Sequence, residues 1–486
     1  MKETVLLFLV LGCPTHILAT GLVSVVATLD ATLHPKHWVS LRGIGLVGRL
    51  DTLDFLSLPD IISLDLSNNI GLSGPIPLTI GSLQMLSNLN LSGAVLDLSS
   101  NSLGGHIPIS LGNLTELTTL RFNNNMFSGH IPWQLGLLQR LDQLELGSNN
   151  ISGHIPASFG NLTKLTMLSL SWNYISGDIP PVLAYIEGLQ HLALHHNKLI
   201  GSIPSSFSNL TMLRGIYLNN NLLSESIPRE LGALSRLLHL DISSNNLTGA
   251  IPPTIGNLTN LSYLILSNNK LTDSIPKEIG SLGQLVNSLG GTILDNVEHL
   301  LNLQVLSIRN NQFIGAVPSS IRNLSSLEEL NLGYNNFTGL IPPSIGDFSL
   351  LGFLSFANNQ LSGTIPPELG NLTNLEYIWI YSTRISGSIP ESFTNLPNMK
   401  DMRLFSNDLS GPLPQDLANL TNLVLADLSK NSFIGNLPSL CQGKMLRHLN
   451  FWIKKFHGSV PNSIKNCTSL EYLGMFFYNL KICDVQ

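Results

Sequence analysis

A 24-residue step dominates this sequence. Residues 123–146 read NNNMFSGHIPWQLGLLQRLDQLEL, and nearly every later segment repeats the same order of leucine, asparagine, glycine and proline. A fixed period of this length indicates stacked, similar units, each in contact with its neighbours only, so a chain of 486 residues need not divide into globular domains. Thr383, Lys454 and Tyr478 hold three of the asparagine places. The repeating asparagines are Asn69, Asn101, Asn125, Asn149, Asn173, Asn197, Asn221, Asn245, Asn269, Asn287, Asn311, Asn335, Asn359, Asn407 and Asn431.

Each position of the consensus L-x-x-L-x-L-x-x-N-x-L-x-G-x-I-P has a physical task. The L-x-L segment alternates as a strand does, so Leu144 and Leu146 are predicted to point into the core and Glu145 outward. The asparagine is predicted to turn inward and hydrogen-bond main-chain groups that the bend leaves unpaired, because burying such groups without partners is costly. Stacked repeats should therefore form a parallel sheet.

The period has two irregular intervals. The interval before Asn101 is eight residues longer than one repeat, and residues 86–94 look like a partly duplicated strand. The interval before Asn287 is six residues shorter, and the segment 283–294 lacks the strand part of the consensus. A repeat without its strand is expected to interrupt the parallel sheet and to produce a kink or a poorly ordered loop.

The N-terminus is typical of a secretory signal, with Lys2 before a short apolar core and cleavage expected after Ala19 or Ala27. An uncleaved membrane anchor is the alternative. The predicted organisation is a signal peptide over residues 1–27, a degenerate N-terminal segment over 28–60, a repeat array over 61–282 with the insertion 86–94, the defective repeat over 283–294, and an array over 295–486 that ends without a cap.

The charge of the chain argues against one class of partner. The chain has 25 basic and 31 acidic residues, a net charge of -6, and no basic run. Because binding phosphate needs a basic face, nucleic acid is not expected as a partner.

Of the four cysteines, Cys441 and Cys467 lie about one repeat apart and could form a disulfide; the alternative is that they are small buried hydrophobic residues.

The L-x-G-x-I-P segment carries a family resemblance. It recurs as FSGHIP at 127–132, ISGHIP at 151–156, LTGAIP at 247–252 and LSGTIP at 361–366. These segments resemble the plant-specific leucine-rich repeat, and the whole chain resembles the ectodomain of a plant leucine-rich-repeat receptor-like kinase. LPSLCQG and NCTSL near the C-terminus resemble the membrane-proximal repeats of the male-discoverer-interacting receptor-like kinases.

The resemblance implies an α/β solenoid, a right-handed superhelical array with a parallel sheet on its concave face and short 3-10 or irregular convex segments. It also implies perception of a peptide or glycopeptide and pairing with a co-receptor that has a shorter leucine-rich-repeat ectodomain. The family's N-terminal cap is not recognisable, since only Trp38 stands near its place. The membrane helix and the Ser/Thr kinase of full-length relatives are missing too. We therefore expect a truncated, non-enzymatic form, attached to a membrane only through a missing C-terminal helix or an uncleaved N-terminal segment.

Sequons for N-glycosylation are frequent, and most of them fall in the G-N-L-T segment of the repeat. They are expected on the convex side, where a glycan would be exposed to solvent; the alternative is that N-L-T is only repeat consensus. Asn90, Asn150, Asn246, Asn260 and Asn336 are further sequons, of which Asn150, Asn246 and Asn336 directly follow a ladder asparagine. The main predicted sites are Asn113, Asn161, Asn209, Asn257, Asn323, Asn371, Asn419 and Asn466.

Two groups of residues are predicted to line the concave face, where repeat proteins usually bind. Strand alternation places each group on the side that faces away from the core. Aromatic residues beside an arginine are typical of an interface hot spot, although stacking between strands explains them equally well. The first group is Phe353, Tyr377, Trp379, Tyr381, Asp401, Arg403 and Phe405. The second group, for which a solvated polar stripe is the alternative, is His191, His195, Tyr217, His239 and Asp241.

No catalytic constellation, cofactor motif or metal site is expected. The serines and acidic residues belong to the consensus and do not form a nucleophile with a base and an orienting group. The leading hypothesis is an extracellular ectodomain that binds a peptide or protein in plant cell-surface signalling, at the plasma membrane or in the apoplast. The alternative is a secreted inhibitor of cell-wall-degrading enzymes, similar to the polygalacturonase-inhibiting proteins.

Overall fold

The computed structural model describes residues 37–53, 55–57, 61–83, 86, 94–279, 302–438, 440, 442–452, 464 and 467–476 of the chain. Two compact units, Met1–Leu213 and Arg214–Gln486, are treated separately below. The predicted signal segment, the defective repeat and nearly all of the insertion lie outside the described residues. Within the described ranges, no helix has the length and apolar character required to cross a membrane.

In the first unit, the L-x-L segments form a parallel sheet, named the inner sheet. Leu144 lies beside Leu168 in the next strand, and Leu168 lies beside Leu192. These leucines are fully buried, and Glu145 is half-buried on the opposite face, as strand alternation requires. The strands are His37–Ser40, Ile61–Asp65, Val95–Asp97, Thr119–Arg121, Gln143–Glu145, Met167–Ser169 and His191–Ala193.

A second parallel sheet of the first unit, named the side sheet, runs through the segments that hold the glycine of L-x-G. Its strands are Val47–Arg49, Gly71–Gly74, Ser102–His106, Met126–His130, Asn150–Gly153, Tyr174–Asp178 and Lys198–Ile200. Short 3-10 helices complete the turns: Leu50–Thr52, Phe55–Ser57, Leu78–Ser82, Ile109–Asn113, Trp133–Leu137, Ala157–Asn161, Pro181–Tyr185 and Ser205–Asn209.

The consensus proline and glycine explain where the 3-10 helices lie. Pro132 precedes one of them in an extended conformation at φ -63°, which its ring favours. Leu135 then points into the core, fully buried. A Cβ atom at Gly136 would lie 2.5 Å from the main-chain oxygen of Ser158 in the next turn, so glycine allows the turns to stack closely.

The asparagine ladder forms as predicted. The Asn149 side-chain amide donates to the carbonyl of Phe122 in the preceding turn at 2.9 Å and to that of Leu146 at 3.1 Å. Its oxygen accepts from the N–H of Phe127 at 3.0 Å. Asn149 therefore satisfies buried main-chain groups in two adjacent turns. The residue before it is left-handed, as at Ser148 with φ 55°.

In the second unit the inner sheet has the strands Gly215–Tyr217, His239–Asp241, Tyr263–Ile265, Val305–Ser307, Glu329–Asn331, Phe353–Ser355, Tyr377–Trp379, Asp401–Arg403, Leu425–Asp427, His448–Trp452 and Tyr472–Phe476. The side strands form separate groups: Thr248–Gly249 with Lys270–Leu271, Ile314–Ala316 with Asn336–Thr338, and Ser362–Thr364 with Arg384–Gly387, Asp408–Pro412 and Ser432–Ile434. The 3-10 helices are Arg229–Ala233, Pro253–Asn257, Lys277–Ile279, Ser319–Asn323, Pro343–Asp347, Pro367–Asn371, Glu391–Asn395 and Gln415–Asn419. The predicted solenoid class, with parallel strands and short 3-10 segments, is confirmed in each unit.

The predicted interruption of the sheet is wrong. Tyr263–Ile265 pairs directly and in parallel with Val305–Ser307. The side-chain amide of Asn311 donates to the carbonyl of Leu266 at 3.0 Å, so Asn311 continues the ladder in the turn that follows this strand. The predicted ladder residue Asn287 lies outside the described residues. The physical reason is that a strand edge has unpaired N–H and C=O groups, which the next complete repeat can satisfy.

The longer interval in the first unit also leaves the inner sheet continuous. Leu64 pairs with Leu96, and the N–H of Asn69 donates to the side-chain oxygen of Asn101 at 2.9 Å. The longer interval therefore does not prevent the strands on either side of it from pairing.

Candidate functional site

Seven predicted site residues lie on and just after three neighbouring strands of the second unit. Parallel pairing places Phe353 beside Tyr377 and Trp379 beside Arg403. The core side of the middle strand is formed by Ile378, which is fully buried. The seven side chains therefore share the opposite face, and we name them the Trp379 cluster: Phe353, Tyr377, Trp379, Tyr381, Asp401, Arg403 and Phe405.

Aromatic rings in the cluster contact one another across the turns. The Phe353 ring meets the Trp379 ring edge-on, with centroids 4.8 Å apart and an interplanar angle of 77°. The Tyr381 and Phe405 rings stack at 4.4 Å with an angle of 9°. These are favoured aromatic geometries, which stabilise the sheet and also fix the ring positions.

Arg403 is held by Asp401 and by Trp379. Its Nε donates to Oδ1 of Asp401 at 2.9 Å, and its Nη2 donates to Oδ2 at 2.7 Å. The guanidinium carbon lies 4.9 Å from the Trp379 ring centroid, within cation–π distance. The Asp401 hydrogen bond is the main cause that raises the pKa of Arg403.

The structure extends the cluster to two residues that the sequence analysis missed. The hydroxyl groups of Tyr334 and Tyr381 are 3.0 Å apart, and the Arg309 guanidinium carbon lies 4.5 Å from the Tyr334 ring centroid. Burial, followed by the hydrogen bond to Tyr334, raises the pKa of Tyr381 to about 12. The sequence does contain one indication of this extension. Tyr334 occupies the left-handed position before a ladder asparagine, where most other turns have Asn or Ser.

The cluster is less exposed than strand alternation alone suggests. Its aromatic side chains are half-buried, and Asp401 is only 8% exposed. Ring stacking between turns and the Arg403–Asp401 ion pair bury side-chain surface that strand alternation alone would leave exposed to solvent. Within the described residues, the Trp379 indole nitrogen is buried and has no hydrogen-bond partner.

Two members of the second predicted group, His191 and His195, belong to the first unit. His191 starts the last inner strand of that unit, and His195 makes an edge contact with His196 at 5.7 Å. His196 stacks on Trp172 at 3.6 Å, and both residues have a left-handed backbone, with φ near 55°. Bulky residues are uncommon in that conformation, which makes this stacked pair a further feature that the repeat consensus does not reveal.

The other three members, Tyr217, His239 and Asp241, belong to the second unit. The Tyr217 and His239 rings lie 6.1 Å apart, and His239 stacks on Tyr263 at 4.5 Å. Asp241 accepts from the Ser243 hydroxyl at 2.6 Å. Burial, and then the nearby Asp241 charge, raises the pKa of Tyr217. Tyr263 was missed, although it stands one 24-residue step after His239.

The predicted glycosylation sites end the 3-10 segments of alternate turns. Asn113, Asn161, Asn209, Asn257, Asn371 and Asn419 are exposed there, and Asn323 is half-buried. Asn466 lies outside the described residues.

Of the two cysteines predicted to pair, only Cys467 lies among the described residues. Cys467 is 9% exposed and is disulfide-bonded. Cys441 lies outside the described residues, so its pairing with Cys467 stays a prediction. In the described part of the chain, no group of three or more His, Cys, Asp or Glu side chains is arranged to hold a metal ion.

Two family models described as leucine rich repeat match the chain. One matches residues 187–247 and 301–361. The other matches residues 94–114, 140–162, 164–186, 260–282, 351–372 and 374–396. No curated protein matches the sequence.

Solved structures of plant receptors are similar over most of the chain. The plant peptide hormone receptor RGFR1 in complex with RGF2 is 35% identical with a TM-score of 0.75, and the match covers 86% of this chain and 62% of that one. A TDR receptor is 30% identical with a TM-score of 0.82, covering 93% and 74%. The Arabidopsis receptor kinase HAESA, in complex with the peptide hormone IDA and the co-receptor SERK1, is 30% identical with a TM-score of 0.70, covering 90% and 72%.

The chain thus spans 62% of the first of these receptors. The match to the TDR receptor is broad enough in both chains to establish common family membership. The chain belongs to the leucine-rich repeat family, and its structure is similar to those of plant leucine-rich-repeat receptor kinase ectodomains.

Proposed function

We propose that this chain is the ligand-binding ectodomain of a plant cell-surface receptor, and that it recognises a peptide or protein through the Trp379 cluster. The observation that carries the proposal is a set of interlocked aromatic rings with an arginine on the sheet face opposite the core. Half-buried, pre-positioned aromatic side chains beside an arginine have the composition of a binding hot spot. The similar receptors RGFR1 and HAESA are both seen with peptide hormones.

The cluster would bind mainly by burying ligand surface on fixed rings. Stacking holds Phe353, Tyr381 and Phe405 in place before binding, so little side-chain freedom is lost when the ligand arrives. Asp401 fixes Arg403 through two nitrogen atoms, and the third nitrogen, Nη1, remains to donate to a ligand oxygen. No chemical transformation of the ligand is part of this proposal.

The remaining features of the proposal concern its cellular setting. The chain would be secreted, carry glycans at the exposed sequons, and act at the plasma membrane or in the apoplast. A co-receptor with a shorter leucine-rich-repeat ectodomain would be a partner. The similar receptor kinase HAESA is seen in complex with the co-receptor SERK1. Among plant receptor kinases, the chain would be related to the male-discoverer-interacting group.

A displayed library of random dodecapeptides tests the binding role. The full chain, produced through a secretory pathway, is immobilised, and enriched peptides are measured on Trp379→Ala and on Trp133→Ala. Trp133 is the matched control, because it is an exposed tryptophan on a 3-10 segment of the first unit. We expect Trp379→Ala to weaken binding at least about tenfold, as hot-spot truncations do, and the control to be unchanged.

Thermal unfolding and circular dichroism establish that each variant is folded. Equal affinity of the enriched peptides for the wild-type chain and Trp379→Ala would contradict the proposed site. The absence of any enriched peptide would contradict peptide recognition itself.

A further inference from the structure

An open cavity adjoins the Trp379 cluster within the second unit. Its volume is about 480 Å³, in the range of small ligand pockets. Three acidic residues line it, Glu328, Glu329 and Glu376, together with the aromatic residues Phe353 and Tyr377. Among the described residues that line it there is no basic side chain.

Glu329 occupies the centre of one row across the inner sheet. Parallel pairing places Val305 on one side of it and Phe353 on the other, and Tyr377 follows Phe353. Neither neighbour in the row can donate a hydrogen bond to a carboxylate. Within the described residues, the Glu329 carboxylate forms no hydrogen bond or ion pair, and its partial burial raises the pKa of its carboxyl group.

The two other acidic residues of the cavity provide no partner for the Glu329 carboxylate. Glu376 is engaged by Lys400, whose ammonium lies 2.7 Å from it. Glu328 is exposed and adds negative charge at the same cavity. The lining residues of the cavity are therefore acidic, apolar and aromatic, and the group that best complements them is a cation on an aliphatic stem.

We propose that this cavity, named the Glu329 pocket, binds a lysine or arginine side chain of the ligand peptide; this inference rests on the proposed function. The cation would pair with the Glu329 carboxylate, which gains the partner it lacks. The faces of Phe353 and Tyr377 add cation–π attraction. The methylene groups of the ligand side chain would pack against Val305, as long basic side chains do on apolar surface.

The dodecapeptide library gives the test. On the wild-type chain, we expect arginine or lysine to be enriched at one position of the selected peptides. A selected peptide is then resynthesised with citrulline, which is neutral and nearly isosteric, in place of its arginine, or with norleucine in place of its lysine. The charged peptide should bind the wild-type chain about tenfold more tightly than the neutral one.

In Glu329→Gln, the charged and neutral peptides should bind equally, while both should still lose affinity when Trp379→Ala is added. Glu368→Gln is the matched control, since it removes the same charge from the 3-10 segment Pro367–Asn371. It should keep the tenfold preference for the charged peptide.

The outcomes separate the two proposals. Enriched peptides without a basic residue, or a preference for charge that persists in Glu329→Gln, would overturn the pocket assignment and leave the Trp379 cluster standing. If no peptide is enriched on the wild-type chain, both the proposed function and the pocket assignment are overturned. If peptides are enriched but Trp379→Ala leaves their affinity unchanged, the proposed function alone is overturned.

Discussion

Arg403 should be a structural residue as well as a binding residue, and Arg403→Ala tests this. Its two shortest hydrogen bonds to Asp401 measure 2.9 and 2.7 Å, and the Asp401 side chain is only 12% exposed. Hydrogen bonds to charged groups contribute about 1.5–3 kcal/mol, and an exposed cation–π contact adds about 0.5–1 kcal/mol. Because the Arg403 side chain is 35% exposed and solvent screens the pair, we expect the low end of that sum, about 2 kcal/mol.

The loss should be local, since each repeat contacts only its neighbours. Hydrogen exchange of the strand Asp401–Arg403, followed by mass spectrometry, should accelerate about 30-fold, the factor that corresponds to about 2 kcal/mol. Adding Asp401→Asn should recover part of the loss, because no unpaired buried charge then remains. Arg384→Ala removes an exposed arginine one turn away and should change little. If Arg403→Ala exchanges no faster than Arg384→Ala, the ion pair is not structural and this reasoning is refuted.

Three further predictions concern stability. Asn359→Ala removes four hydrogen bonds to main-chain groups and should cost about 4 kcal/mol in urea unfolding; a loss below about 1 kcal/mol would contradict the ladder's role. The folded-state pKa of Glu329 is raised from 4.5, so its protonation favours the folded state at low pH, and this stability is lost as pH rises through the raised pKa. Glu329→Gln should therefore be more stable than the wild-type chain at pH 7 and no more stable at pH 3, as measured by thermal unfolding. Glu225 has φ 65° where Gly249 has 72°, so Glu225→Asn should stabilise by about 0.5–1 kcal/mol, and an unchanged melting temperature would count against strain at this site.

The period predicts the fold because the positions that recur from repeat to repeat are also those that form the core and the main-chain hydrogen bonds. The 24-residue step reappears as the pairing of Leu144 with Leu168, and the ladder asparagines make the main-chain contacts that their burial requires. The expected interruption of the sheet is wrong because a count of consensus letters identifies a repeat without its strand but does not show which later strand pairs with the preceding edge. The edge of Tyr263–Ile265 is satisfied by Val305–Ser307 instead, and only main-chain hydrogen bonding decides that outcome.

The candidate site is predictable in position and much less so in detail. Alternation correctly places Tyr377 and Trp379 on the face opposite Ile378. It cannot give ring orientations or exposure, since these depend on side-chain torsions and on stacking across turns. Tyr334 reaches Tyr381 although 47 residues separate them, a contact between turns two repeats apart that no local pattern contains.

The spacing between the Glu329 pocket and the Trp379 cluster constrains the ligand. Glu329 and Trp379 stand two strands and two residues apart in the register, which corresponds to about 10–12 Å at the usual strand spacing and rise. An extended peptide covers that distance in about three or four residues, whereas a helical one needs about seven or eight. Peptides that engage both sites in an extended form should therefore have a basic residue three or four positions from an apolar or aromatic one. Selected sequences with a seven- or eight-residue separation would instead indicate a helical ligand, and sequences with no fixed separation would show that the two sites are not occupied by one peptide.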